Sequence, residues 1–325
     1  MKPTFKAVAV KAVAIAGMLL AAAQVFGAYP DKPVKVIVPY AAGGGADTAS
    51  RLISQKLAAA WNQPFVVENR PGGNAVIGTS AIAKAAPDGY TIGMVISAHA
   101  VNPFVAKDLP YDSVKDFEPV SFVARMPGVL LVPPEFPAKS LGDLVAMAKR
   151  QPKGLFYAVP GGLTNGHVSM EMLKLAAGID VTAVMFKGGA PATTEVIAGR
   201  VQMMIAAPPA AMPFVQSGKL KALATTGATR PKSLDQLPTF IESGFAGFET
   251  YEWFGMLAPA HTPAAIVDQL SGGIAAALKD EKVIDTLSKL GLEIVGGGPQ
   301  DLRRFLDREL AKMKTLTQAV KLDSE

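Results

Sequence analysis

The chain has 325 residues, 50% hydrophobic and 18% charged, which is enough for two ordinary domains with real cores. It contains no cysteine, so disulfides, thiolate metal sites, cysteine nucleophiles and lipidated cysteine anchors are excluded. The formal charge is +5, but no Lys/Arg run interleaves with aromatics, and nucleic acid is not expected as a partner.

Lys2, Lys6 and Lys11 precede an apolar stretch over 12–26, and no acid occurs before Asp31. Val25 and Gly27 have the spacing that signal peptidase reads, so residues 1–27 are expected to be a cleaved signal peptide and the mature chain to start at Ala28. Its removal takes three lysines and no acid, lowering the formal charge from +5 to +2. Beyond it no apolar run approaches the roughly 20 residues of a membrane span.

Short β-branched runs at 34–38, 65–67, 91–96, 129–132, 155–158, 181–186, 201–205 and 220–225 predict strands. Leu52, Ile53, Leu57, Ala60 and Trp61 lie on one helical stripe and predict a helix over 50–61. Val168, Met172, Leu175 and Ala176 mark a second helix, stopped by Gly178. Such alternation places the chain in the α/β class, with parallel sheets flanked by helices.

A weak internal repeat divides the chain. Pro39-Tyr-Ala-Ala-Gly-Gly-Gly-Ala-Asp47 follows the first strand and opens a helix, and Val159-Pro-Gly-Gly-Leu-Thr164 does the same later. Gly43 to Gly161 is 118 residues, Gly72 to Gly188 is 116, and Pro103 to Pro213 is 110. Near-constant offsets in one order predict two halves built alike.

Each glycine turn leaves free N–H groups at a helix start, where the helix dipole also favours an anion. Gly43, Gly44 and Gly45 remove side chains that would block approach, and Asp47 is placed to cap the helix that follows. Gly161 and Gly162 with Thr164 and Asn165 form the second turn. Either loop alone reads as a tight turn; two of one kind, one per half, suit a carboxylate between facing helix ends. Neither loop is a Walker A or a dinucleotide fingerprint, and no Gly-x-Ser-x-Gly elbow or His-Glu-x-x-His helix occurs. His99, His167 and His261 lack metal-ligand spacing. The sequence presents a binding site without a visible reaction centre, and neither metal nor cofactor is expected.

At these residues the chain resembles the solute-binding receptors of tripartite tricarboxylate transporters, often called the Bug family. The match runs from about Tyr29 to the C-terminus. It rests on Val38-Pro-Tyr-Ala-Ala-Gly-Gly-Gly-Ala-Asp47 with Arg51, on Val67-Glu-Asn-Arg-Pro-Gly-Gly-Asn74 with Gly78, and on Ala86-Pro-Asp-Gly-Tyr-Thr91. Tyr111-Asp112, Asp116-Phe117, Phe186-Lys-Gly-Gly-Ala-Pro191, Gly199-Arg-Val201, Leu223-Ala224 and Trp253-Phe-Gly255 continue it. The resemblance implies a two-lobed Venus-flytrap fold of the periplasmic binding protein type, each lobe a mostly parallel sheet flanked by helices. Lobe 1 is expected over 28–126 plus 250–325 and lobe 2 over 127–249, with crossings near 122–127 and 248–255. It further implies a periplasmic, non-catalytic monomer that captures a small carboxylate and delivers it to integral membrane transporter subunits. A sensor subunit presenting the same ligand to a signalling protein, or an anion-binding α/β enzyme, are the alternatives.

Carried over by position, Ala42, Gly43, Gly44 and Asp47 fall in the first ligand loop, and Ser97, Ala98 and His99 in a neighbouring loop of that lobe. Gly161, Thr164, Asn165 and His167 fall in the carboxylate loop of the second lobe, with Ala206 and Ala207 at its rim. Such receptors typically hold a carboxylate through N–H groups, hydroxyls and waters, without a salt bridge. Three departures stand out: Ala42 where the family usually has proline, Leu163 where it has glycine, and Ala206 where it has aspartate. Leu163 questions the backbone geometry of the second loop. Ala206 predicts a ligand without an α-amino group, its apolar body lying against a wall that Trp253 and Phe254 are candidates to supply.

Overall fold

The computed structural model describes residues 29–161 and 163–320, so the expected signal peptide over 1–27 and Gly162 of the second turn lie outside the described residues. The chain starts with β1 (Val34–Val38), α1 (Gly45–Trp61), β2 (Phe65–Asn69), α2 (Val76–Ala83), β3 (Thr91–Val95), α3 (Ala98–Val105) and the long β4 (Phe117–Pro127). It continues through β5 (Val129–Val132), α4 (Leu141–Arg150), β6 (Phe156–Val159), α5 (Asn165–Ala177), β7 (Thr182–Met185), α6 (Gly189–Ile197), β8 (Met204–Ala206), α7 (Pro208–Gln216) and β9 (Lys221–Thr225). It ends with β10 (Tyr251–Pro259), α8 (Ala264–Ala277), α9 (Glu281–Lys289), β11 (Glu293–Gly297) and α10 (Pro299–Ala319).

Strand β1 shows why the first sheet is buried on both faces. Val34, Val36 and Val38 point to one side, into a cluster with Ile53 and Leu57 of α1 and Leu270 and Ile274 of α8. Ile37, one residue out of phase, joins Ile82 of α2, Trp253 and Phe305 on the other. The second sheet repeats this, with Leu130 and Val132 facing Leu144 and Leu173 while Val129 and Leu131 face Ala192 and Val196. Helix α1 begins five residues before the predicted start, since Gly45 opens it. Helix α5 ends as expected at Gly178, which adopts φ 61 and donates its N–H to the Lys174 carbonyl. Its buried apolar residues are Val168, Met170, Leu173 and Ala177, so Val168 of the predicted stripe is buried as expected while Leu175 is 47% exposed.

Six strands pair in the order β11-β4-β10-β3-β1-β2. The expectation of mostly parallel sheets needs correction. Strand β1 runs parallel to β2 and β3, but β10 is antiparallel to β3 and β4, and β11 to β4. In the second lobe β6 and β7 are parallel, and a parallel bridge at Tyr157 and Met203 joins β6 to the run into β8. Strand β5 lies antiparallel to β8 and β9. The antiparallel members include the strands that sequence reading missed: β4 and β10 carry Pro119, Glu118, Arg125 and Glu252, and β11 is glycine-rich, so none shows a clean apolar run.

The repeat is visible in three dimensions. The units β1-α1-β2-α2-β3-α3 and β6-α5-β7-α6-β8-α7 share one order, with sheet neighbours β2-β1-β3 and β7-β6-β8. The chain leaves the six-stranded sheet after Pro127 and re-enters it at Tyr251, and these two residues are paired. A tight hydrogen-bond cluster holds the crossing: Gly128 N–H donates to Thr226 Oγ1 at 2.8 Å, Thr226 N–H to the Gly128 carbonyl at 3.0 Å, and Thr226 Oγ1 to the Thr250 carbonyl at 2.8 Å.

Candidate functional site

Beside that crossing lies a cavity of about 810 Å³. The starts of α5, α6 and α7 converge on it, and Met126, Gly128 and Glu252 close it on the side of the crossing strands.

The start of α5 is built by its loop. Gly161 takes φ 146 and Leu163 takes φ 60, a left-handed conformation that costs a leucine on the order of 1 kcal/mol. Leu163 thus keeps the backbone a glycine would adopt there. Its side chain is buried in the cluster that contains Val101, Trp253 and Met313, which offsets the strain. Thr164 is the N-cap: its Oγ1 accepts the His167 N–H at 3.4 Å and donates to the Gly161 carbonyl at 3.3 Å. Thr164, Asn165 and Gly166 line the cavity, whereas His167 is buried, with its ring 6.3 Å from that of Tyr157. Gly166 sits so close to β8 that a Cβ there would lie 2.3 Å from the Ile205 carbonyl oxygen.

Helix α6 contributes Gly189, Ala190, Thr193 and Thr194. Gly188 is its N-cap with φ 113, and no side chain caps it, so the Gly189 and Ala190 amides remain available to a ligand, Pro191 after them having none. Helix α7 differs. Its N1 and N2 residues are Pro208 and Pro209, which have no N–H, so this end offers an apolar wall with Ala206, Ala207 and Phe214. Two helix ends therefore give donors and the third gives shape.

The first-lobe candidates divide. Ala42, Gly43 and Gly44 are exposed and do not line the cavity. Asp47 is buried inside the first turn of α1 and is saturated: Gly43 N–H donates to Oδ2 at 2.9 Å, Arg51 Nε to Oδ2 at 3.0 Å and Asn69 Nδ2 to Oδ1 at 2.9 Å. Burial alone would push its carboxyl up, but these donors together hold it below the usual range. It ties down the glycine turn. His99 is 2% exposed, stacked on Tyr111 with Phe117 at its edge, and its Nε2–H donates to the Ser113 carbonyl at 2.9 Å. It packs in the core away from the cavity, with Ala98 beside it. Ser97 alone of that loop reaches the site, by donating its N–H to Glu252 Oε1 at 3.0 Å. Trp253 and Phe254 are core residues, 0% and 3% exposed, and supply no cavity wall.

Glu252 is the residue sequence reading missed. It is half-buried and the only charged side chain among the described residues of the cavity wall. Burial, reinforced by the charge of Glu309, pushes its carboxyl above the ordinary range against the opposing Ser97 N–H.

A family model described as "Tripartite tricarboxylate transporter family receptor" matches residues 49–322. The chain belongs to this family. The receptor is 32% identical over 286 residues to "Protein BugT" of Bordetella pertussis, spanning 87% of this chain and 88% of that protein. Among solved structures it is similar to Rpa4515 of R. palustris with adipate, at 37% identity and a TM-score of 0.75 over 89% of this chain and 97% of that one. It is also similar to MatC from Rhodopseudomonas palustris with bound malate, at 30% identity and a TM-score of 0.72 over 89% of this chain and 99% of that one. The two-lobed periplasmic binding protein fold is thereby established. For the α6 end of the receptor's cavity a sequence signal existed, because the repeat pairs Gly188 with Gly72. For Glu252 there was none: an acid in a strand without alternation announces no partner.

Proposed function

We propose that this receptor captures a small carboxylate between its lobes in the periplasm and hands it, as a non-catalytic monomer, to integral membrane transporter subunits. The observation that carries the proposal is the convergence of the uncapped α6 end and the Thr164-capped α5 end on one large cavity. No lysine or arginine stands in the wall among the described residues. Amides at helix starts and the hydroxyls of Thr164 and Thr193 are charge-matched to a carboxylate, each charge-assisted bond contributing about 1.5–3 kcal/mol. An empty site of this kind also avoids the cost of an unpaired buried arginine. That relatives of similar fold were solved with adipate and with malate supports the ligand class.

Lobe 1 takes residues 28–126 and 250–325 and lobe 2 takes 127–249, with rotation about Pro127–Gly128 and the strand entering β10. Closure brings the exposed Ala42–Gly43–Gly44 turn against the cavity, completing the ligand's shell, and reports occupancy to the membrane partner. The test is calorimetric titration of the purified protein with adipate, malate, succinate and citrate. At least one is expected to bind without being consumed. Turnover of a bound acid, or the absence of binding by any small carboxylate, removes this reading.

A further inference from the structure

The expectation that the ligand lacks an amino group rests on Ala206, which leaves the rim of α7 without an acid. The folded chain places an acid elsewhere in the same wall. Glu252 projects from β10 beside Met126, its partner across the β4–β10 ladder, and both face the cavity. Arg125 of β4 pairs with Glu293 at 3.3 Å and stacks over Tyr251, and Lys312 of α10 pairs with Glu309. Glu252 is hydrogen-bonded by the Ser97 N–H at 3.0 Å, by the Ser97 side chain and by the Trp253 backbone, and has no ion pair among the described residues. The cavity wall therefore carries donor amides of α5 and α6 together with one carboxylate that has no ion pair among the described residues.

We propose that this receptor's ligand is an aminocarboxylate, whose carboxylate meets the α5 and α6 ends and whose ammonium pairs with Glu252. The proposal rests on the carboxylate-receptor reading given above and narrows its ligand class. A buried ammonium needs a counter-charge to offset its lost hydration, and a buried carboxylate needs the same, so each relieves the other. A diacid brings a second negative charge to the one acid in the wall. Glu252 is thus a specificity determinant that replaces the missing rim aspartate from the crossing strand β10.

Matched pairs test it: 4-aminobutanoate against succinate, glutamate against glutarate, and 6-aminohexanoate against adipate, each titrated into wild type and Glu252→Gln. The amide keeps an oxygen for the Ser97 N–H and nearly the same volume, and the melting temperature of the variant reports whether the fold is retained. For at least one pair, wild type is expected to prefer the amino acid by about ten-fold or more, and Glu252→Gln to lose most of that preference without weakening the diacid. If the diacids bind more tightly than their partners in wild type, or the variant leaves the preference unchanged, the Glu252 assignment fails while the carboxylate reading stands. If no acid of either kind binds either protein, both fall.

Discussion

Thr164 does two jobs that can be separated by measurement. Its hydroxyl lines the cavity and also caps α5 at 3.4 Å, a long bond for a cap. Thr164→Ala is expected to lower stability by about 1 kcal/mol and, separately, to weaken carboxylate binding several-fold. Calorimetric titration below the melting temperature isolates the second effect, and unchanged affinity would reduce Thr164 to a cap. His99 carries a different prediction. Burial drives its imidazole from 6.5 down to about 4, against the opposing hydrogen bond to the Ser113 carbonyl, and a proton on Nδ1 would find no acceptor among the described residues. The unfolded chain therefore binds a proton more readily than the native one between those values. The contribution is present above pH 6.5 and lost as pH falls toward 4, amounting to about 3 kcal/mol. Chemical denaturation across that window should show the slope in wild type and a shallower one in His99→Gln. Equal slopes would mean that His99 titrates normally.

In the proposed function helix ends supply the recognition chemistry, and packing decides where they sit. The first turn of α5 lies directly on the backbone of β8 because residue 166 has no side chain. Gly166→Ala places a Cβ against the Ile205 carbonyl and forces the turn outward, at a cost of about 1–3 kcal/mol. Binding should fall more than stability does, since Asn165 and the α5 amides move with the turn. A variant that melts lower yet binds normally would show that the α5 end does not touch the ligand. Leu163 makes the complementary point. It holds a left-handed conformation that its own propensity opposes, because its side chain is anchored in the cluster containing Trp253. The departure from glycine changed the residue and left the loop geometry in place.

For the whole molecule the prediction is closure. The two sheets are joined by paired crossing strands and a small threonine–glycine hydrogen-bond cluster, which leaves rotation about the crossing as the soft mode. Small-angle scattering at saturating ligand should report a smaller radius of gyration than the free protein. An unchanged scattering curve, with binding confirmed in the same sample, would rule closure out.

Much of this was legible in the chain before folding. Eight strand runs were placed within a few residues, because short apolar and β-branched segments bounded by turn residues favour strands. The two-half organisation was legible because repeated glycine turns leave a fixed spacing, and the family was legible because many short segments recur in order. The sequence alone also located the start of α5, which lines the candidate cavity, since glycine followed by Thr164 is local chemistry. What it left undecided depends on neighbours distant along the chain. Strands β4, β10 and β11 form through antiparallel pairing rather than through their own patterning. His99 became a core residue because Tyr111, Ser113 and Phe117 fold around it. Glu252 faces the cavity because β10 pairs with β4 in a register that sets it beside Met126, with Ser97 brought to it from 155 positions away. Register and long-range contact belong to the folded molecule, so the place of the one charged side chain among the described residues of the cavity wall was fixed there.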